Sequence, residues 1–363
     1  MFQQHADASG RITRILVVRT DRLGDVILTL PVLSRLRACF PRAHIAMLLR
    51  RYTGAIVEGN PCANELIWYD DEKEREVPFE EMVRVIREKR FDAVVLVHPT
   101  LRLAWLMVRS GVPIRVGTGY RAYSFLLNRR VYEHRKDARL HEAEYNVNLL
   151  APLGCPAPDS IGEFDFPIII PGSTVETVKV LLKRLGIGGD RQFIVIHPGG
   201  GGSALEWPLE CFGRLGARLA AERNYAIVVT GSAKEGSLAL SLASMIGDAA
   251  RPVAGELSLK ELAALIRSAS LFVSHSTGPI HIAAAVGTPV VGLYPQITAM
   301  SPRRWGPYTK RARVLVPDRP SDCTECDGGK EKPCACMASI SVDEVFRSAC
   351  AILDAAPSAI ASV

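Results

Sequence analysis

Short runs of apolar, mostly β-branched residues alternate along this chain with stretches whose apolar residues recur at helical spacing, and the pattern is laid down twice. Arg14–Arg19 reads as a buried strand, followed by a polar loop and then Val26, Ile27, Leu30, Leu33, Leu36 and Phe40 at helical spacing. Pro31 means that this helix either starts late or bends. His44–Leu49 is a second strand, Phe79–Arg90 an amphipathic helix and Phe91–His98 a third strand. The second half repeats the order: strands at Phe193–His197, Tyr225–Thr230, Leu271–Ser274 and Pro289–Tyr294 are interleaved with helices at Leu209–Arg223, Leu238–Ile246, Leu259–Ser268 and Pro279–Val286. Such alternation implies parallel β-α-β units and an α/β chain of two Rossmann-like halves.

At 363 residues the chain exceeds one ordinary core and suits two domains. The periodicity breaks at Pro167–Ser173, so the expected domains are 1–170 and 171–363, the second ending in a helix at Asp343–Leu353. Apolar residues (48%) and charged residues (23%) are in globular proportion, and no run reaches the roughly 18–20 apolar residues that span a bilayer. The first residues lack a signal-peptide layout, so the expected location is cytoplasmic. Lys and Arg exceed Asp and Glu by only 44 to 38, which does not point to nucleic acid. The excess is concentrated in Arg121–Arg139 and Ser301–Arg313, patches that suit anionic ligands or an anionic membrane surface, or are simply solvated faces. Asp70–Glu76 reads as an exposed acidic loop. Nine cysteines without a signal peptide point to reduced thiols.

Ligands of doubly wound sheets bind at the carboxyl ends of strands. Three polar loops stand there: Thr20–Asp25, Pro198–Ser203 and His275–Gly278. Gly199, Gly200, Gly201 and Gly202 allow close backbone approach and leave N–H groups for phosphate, although a plain surface turn has the same appearance. Neither a dinucleotide fingerprint nor a Walker A loop is present. Ser276, Thr277 and Gly278 precede a helix whose N-terminus favours anions, with His281 one turn in; the competing reading is an N-cap and a core histidine. Asp25 is either an N-cap or a carboxylate able to accept a proton.

Three stretches, ILVVRTDRLGDVILTLPVL, IVIHPGGGGSALEWPLECF and FVSHSTGPIHIAAAVGTPVVGLYP, and the ending CTECDGGKEKPCACMASISVDEV resemble glycosyltransferase family 9, the heptosyltransferases of lipopolysaccharide core synthesis. The resemblance implies a GT-B fold, with two Rossmann-like domains facing an interdomain cleft. It also implies inverting, metal-independent transfer of a heptose from ADP-heptose to an anionic lipid-linked glycan, with no cofactor beyond the sugar nucleotide. On this pattern Asp25 is the base. Gly199–Ser203 closes over the donor, Thr277, Gly278 and His281 hold its phosphates with Ser276 in the place of the motif's Asp, and Glu235 reaches the ribose. Arg19, Arg22 and Arg121 would meet the acceptor, and peripheral contact with the inner membrane follows from its lipid anchor.

Two positions depart from the family pattern: Ser276 replaces Asp, and Leu205-Glu206 replaces Lys-Arg before Trp207-Pro208. Losing that ammonium removes a direct partner of the diphosphate, which Arg303 or Arg304 could replace, or else the donor is a different sugar nucleotide. A degenerate sugar-nucleotide-binding protein is the competing class; a nicotinamide oxidoreductase is disfavoured for want of the fingerprint. Cys323, Cys326, Cys334 and Cys336 supply enough sulfur for a structural zinc, but their C-x-C spacing is atypical, and thiols or disulfides are the alternative.

Overall fold

The computed structural model describes residues 12–156, 164–188, 191–202, 205–318 and 335–355. The chain divides into two compact units, Met1–Ile169 and Ile170–Val363.

In the first unit, β1 (Arg14–Val18), β2 (His44–Leu49), β3 (Glu65–Trp68), β4 (Ala93–Leu96), β5 (Ile114–Thr118) and β6 (Arg129–Val131) form one parallel sheet in the order β3-β2-β1-β4-β5-β6. Helices α1 (Leu23–Ile27), α2 (Leu30–Cys39), α3 (Arg51–Val57), α4 (Phe79–Glu88), α5 (Leu101–Arg109) and α6 (Glu142–Asn148) pack around it. β1 pairs with β2 through Val17↔Met47 and with β4 through Val17↔Val95, and all these side chains are fully buried. Burial on both faces explains why the central strands read as unbroken apolar runs.

The second unit holds β7 (Phe193–His197), β8 (Ala226–Val229), β9 (Ala250–Pro252), β10 (Leu271–His275), β11 (Val290–Leu293) and β12 (Ala312–Leu315), in the order β12-β11-β10-β7-β8-β9. Its helices are α7 (Gly172–Arg184), α8 (Leu209–Arg223), α9 (Gly236–Ile246), α10 (Leu259–Ser268), α11 (Gly278–Ala285), α12 (Pro302–Trp305), α13 (Ala335–Ala338) and α14 (Val342–Ala355). Counted within its own unit, each sheet runs third, second, first, fourth, fifth, sixth strand. Each therefore reverses direction between its first and fourth strands, where doubly wound sheets open a crevice.

Several local expectations are sharpened or corrected. Pro31 sits in the first turn of α2, so the apolar stretch is two helices, α1 and α2, parted at Leu28-Thr29. Asp70 is not exposed: it is 1% accessible and accepts the Arg51 N–H at 2.8 Å, although much of the segment after it is open to solvent. Cys39 and Cys155 form a disulfide with a Cα–Cα separation of 5.9 Å, against the expectation of reduced thiols. The bridge ties the end of α2 to the segment that follows α6, a pairing that a sequence separation of 116 hides from spacing arguments. Among the described residues no helix is long and apolar enough to cross a membrane.

Candidate active site

At the crevice of the first unit, β1 runs into Arg19, whose N–H still bonds Leu48 O at 3.0 Å. Arg22 takes the N-cap position of α1 with no side-chain cap bond. Asp25 is thus the third residue of the helix rather than its cap, and its carboxylate turns back to accept from Arg19 Nη2. Arg19 is only 2% exposed. Its Nε donates to Asp21 Oδ1 at 2.7 Å, and its Nη1 lies 3.8 Å from Glu142 Oε1. Arg19, expected above at the acceptor, is therefore turned inward to carry Asp25, while Arg22 and Arg121 are exposed.

A buried guanidinium needs anionic partners, and this one has three. Burial alone would lower the Arg19 pKa, but Asp25, Asp21 and Glu142 together raise it, so it stays charged. Glu142, 2% exposed at the start of α6, also accepts from Arg135 Nη1 at 2.6 Å. Arg135 donates further to Asn146 Oδ1 at 2.9 Å, and Asn146 Nδ2 to Leu28 O at 3.0 Å, which closes the brace on the end of α1. For Asp25 the balance goes the other way. Burial raises its pKa more than Arg19 lowers it, with Asp21 and Glu142 adding to the rise, and it reaches about 6. A carboxylate at 6 is ionised at neutral pH and is a stronger base than an ordinary aspartate.

His98, at the end of the strand expected at Phe91–His98, brings Nδ1 to 3.3 Å from Asp21 Oδ2. Burial lowers its pKa despite the Asp21 charge. Neither His98 nor Glu142 was singled out from sequence. His98 could have been, because β4 pairs with β1 and ends beside it.

In the second unit the glycine loop follows β7. Gly199 and Gly200 are buried, and Gly201 and Gly202 have φ of +52° and +65°, a region that favours glycine. Two carboxylates hold the loop. Glu206 takes the Gly200 N–H and Glu235 the Gly201 N–H, while Glu235 also accepts from Ser232 N at 2.7 Å and Ser232 Oγ at 2.8 Å. Burial raises the Glu206 pKa; for Glu235 the opposing burial is outweighed by Ser232 and His197, and its pKa is lowered. A Cβ on Gly199 would run into the Glu235 carboxylate, so glycine there is what lets the two approach. Ser203 lies outside the described residues.

Beneath the loop, His275 Nε2–H donates to Pro198 O at 2.7 Å, and His197 Nδ1 lies 2.9 Å from Thr230 Oγ1. Burial lowers both histidines to about 4, so at neutral pH they are uncharged hydrogen-bonding groups. Thr277 is the N-cap of α11, but its hydroxyl is turned to Ser274 Oγ at 3.2 Å and makes no cap bond. Ser274 donates to His197 O at 2.7 Å, which links this helix start to the end of β7. Ser276 bonds the Tyr294 phenol, whose pKa is raised by burial, and His281 is 6% exposed on the first turn and a half of α11. Leu205 is 6% exposed and belongs to the core with Trp207 and Phe212, whose rings meet edge-on at 4.8 Å. Trp207 Nε1 donates to Ile340 O at 3.0 Å. The residue in the lysine's place therefore serves packing, and its neighbour Glu206 sets a carboxylate on the loop. Arg304 stacks on Trp305 at 4.7 Å.

Among the described residues no group of three or more His, Cys, Asp or Glu is arranged to hold a metal ion. Cys336 is buried in α13, and Cys323, Cys326 and Cys334 lie outside the described residues.

The model of glycosyltransferase family 9 (heptosyltransferase) matches residues 80–332. A putative glycosyltransferase of Haemophilus influenzae is 29% identical over 304 residues, 81% of this chain and 86% of that one. Lipopolysaccharide heptosyltransferase 3 of Escherichia coli is 28% identical over 279 residues, 75% of this chain and 80% of its own length. Among solved structures, a glycosyl transferase family 9 protein from Veillonella parvula superimposes with a TM-score of 0.80 at 24% identity, covering 95% of this chain and 98% of its own. The E. coli ADP-heptose lps heptosyltransferase II gives 0.75 at 22%, covering 94% and 98%.

Proposed function

Because the chain belongs to glycosyltransferase family 9, we propose that it transfers a heptose from ADP-heptose to a lipopolysaccharide core or related anionic glycan, with inversion and without a metal ion. Residues 1–170 take the acceptor, with Arg22 and Arg121 meeting its negative charge, and residues 171–363 take the donor. Asp25 removes the proton of the acceptor hydroxyl. The freed oxygen attacks the anomeric carbon, and the bond from that carbon to the diphosphate oxygen breaks as its electron pair leaves with ADP. Gly199–Gly202, Ser203, Ser276, Thr277, Gly278 and His281 surround the diphosphate, and Glu235 exchanges its loop contact for the ribose hydroxyls. The α11 N-terminus stabilises charge developing on the leaving group. The protein works in the cytoplasm, at the periphery of the inner membrane, with no nucleic-acid partner.

One observation carries this reading: a half-buried aspartate paired with a buried arginine at the end of β1, its pKa raised by burial to about 6. A melting-shift screen of ADP-heptose against UDP- and GDP-sugars tests the donor, and ADP release with deacylated rough-type lipopolysaccharide tests the transfer. A second reading, a sugar-nucleotide-binding protein without turnover, is favoured by Leu205 in the core and by Glu206 on the Gly200 N–H. Donor binding without ADP release alongside acceptor would select it.

A further inference from the structure

In the unit that holds Asp25, the loop after β5 and the segment after the edge strand β6 present aromatic rings to solvent. Tyr120 is 46% and Tyr132 60% exposed. Their rings meet edge-on at 5.6 Å, and the exposed His134 ring lies on Tyr120 at 4.0 Å with a tilt of 32°. The backbone is built for this arrangement. Tyr132 lies so close over Gly119 that any Cβ there would collide with its ring. Gly119 N bonds Val131 O at 2.9 Å, and Ser124 Oγ bonds Gly119 O at 3.1 Å, so the two ring-bearing segments are fixed to each other. Rings that serve packing alone are covered, whereas these are held in place and left open. Arg121 follows Tyr120 directly in sequence. Its charge also reaches His98, whose pKa is lowered first by burial and then by Arg19 and Arg121; His98 in turn contacts Asp21 beside Arg19 and Asp25.

We propose that Tyr120, Tyr132 and His134 form a stacking platform for a sugar ring of the acceptor, with Arg121 meeting an acidic group on that sugar or its neighbour. The apolar C–H face of a pyranose suits an exposed, rigid ring, and an adjacent guanidinium suits a carboxylate or phosphate. The inference rests on the acceptor reading of residues 1–170 and adds the surface by which a sugar, rather than charge alone, is recognised.

Calorimetric titration of the full chain with deacylated rough-type lipopolysaccharide, and with ADP as a separate probe, tests it. Tyr132→Ala and Tyr120→Ala should each raise the Kd for the glycan about fivefold to tenfold, at low and high salt alike, with ADP affinity unchanged. Tyr132→Phe, which keeps the ring, should bind as the parent does. Arg121→Ala should lose affinity chiefly at low salt. Equal glycan binding by Tyr132→Ala and the parent overturns the platform and leaves the acceptor reading standing. No glycan binding by the parent overturns the acceptor reading and the platform with it. Loss of binding to phosphatidylglycerol vesicles in Tyr132→Ala, with glycan binding intact, assigns the rings to a lipid surface and overturns the sugar platform.

Discussion

Replacing Asp25 by Asn separates the proposed proton transfer from the cost of burying a charge. A rise of its pKa from the ordinary 3.8 to about 6 means that the folded protein holds the ionised form about 3 kcal/mol less well than the unfolded chain does. Below pH 3.8 both states carry the proton and there is no cost. Between 3.8 and about 6 only the unfolded chain ionises, so stability falls; above 6 the full cost is present. Asn carries no charge and is free of it. Against this gain, Arg19 loses one anionic partner but keeps Asp21 at 2.7 Å and Glu142 at 3.8 Å, and the Asn amide oxygen can still accept from it. The expected outcome at pH 8 is a variant at least as stable as the parent in urea, its advantage fading by pH 4. Transfer, by contrast, should fall by about 10²–10⁴-fold, or about 3–5 kcal/mol in the barrier. In the parent, kcat should drop about tenfold per pH unit below pH 6, because only the unprotonated carboxylate accepts a proton. A variant more than about 1 kcal/mol less stable than the parent at pH 8 would show that the ion pair, not burial, dominates. A parent kcat that is flat from pH 5 to 8 would remove Asp25 from the chemistry.

Glu142→Gln leaves Arg135 and one side of Arg19 short of a buried anion, and should cost about 3–5 kcal/mol in urea unfolding. Gly199→Ala puts a methyl group where the Glu235 carboxylate lies, and should weaken ADP binding by calorimetry about tenfold, roughly 1.4 kcal/mol, with acceptor affinity unchanged. Cys39→Ser, or reduction of the parent, opens a crosslink between positions 116 apart and should cost about 2–5 kcal/mol, read as a lower thermal midpoint; the variant should then be insensitive to reductant.

The central strands were legible because burial on both faces leaves them nothing but apolar residues, as in Ile15–Val18 and Leu271–Val273. The outer strands were not. In β6 (Arg129–Val131) two arginines are exposed, and β3 begins on Glu65, so pairing with an inner neighbour, not composition, makes them strands. α7 begins within the stretch read as a break, since a proline before a helix marks both. Of the candidate site, the loops and Asp25 could be found by position, but the partners could not. Glu142 arrives from α6, and that Arg19 is buried follows only from that arrival. Leu205 shows the converse: a residue judged by the lysine it replaces turns out to belong to the core.

The two sheets share one winding order, with the reversal at the same place in each. What differs is the furniture of the crevice: an aspartate on a buried arginine in one, a glycine loop and a helix start in the other. On the proposed function, taking a proton and releasing a nucleotide would fall to separate copies of one frame, on either side of the chain crossing at Ile169-Ile170. Donor preference would then be a cassette, and a chimera cut at that crossing should inherit its nucleotide sugar from the second parent and its acceptor from the first.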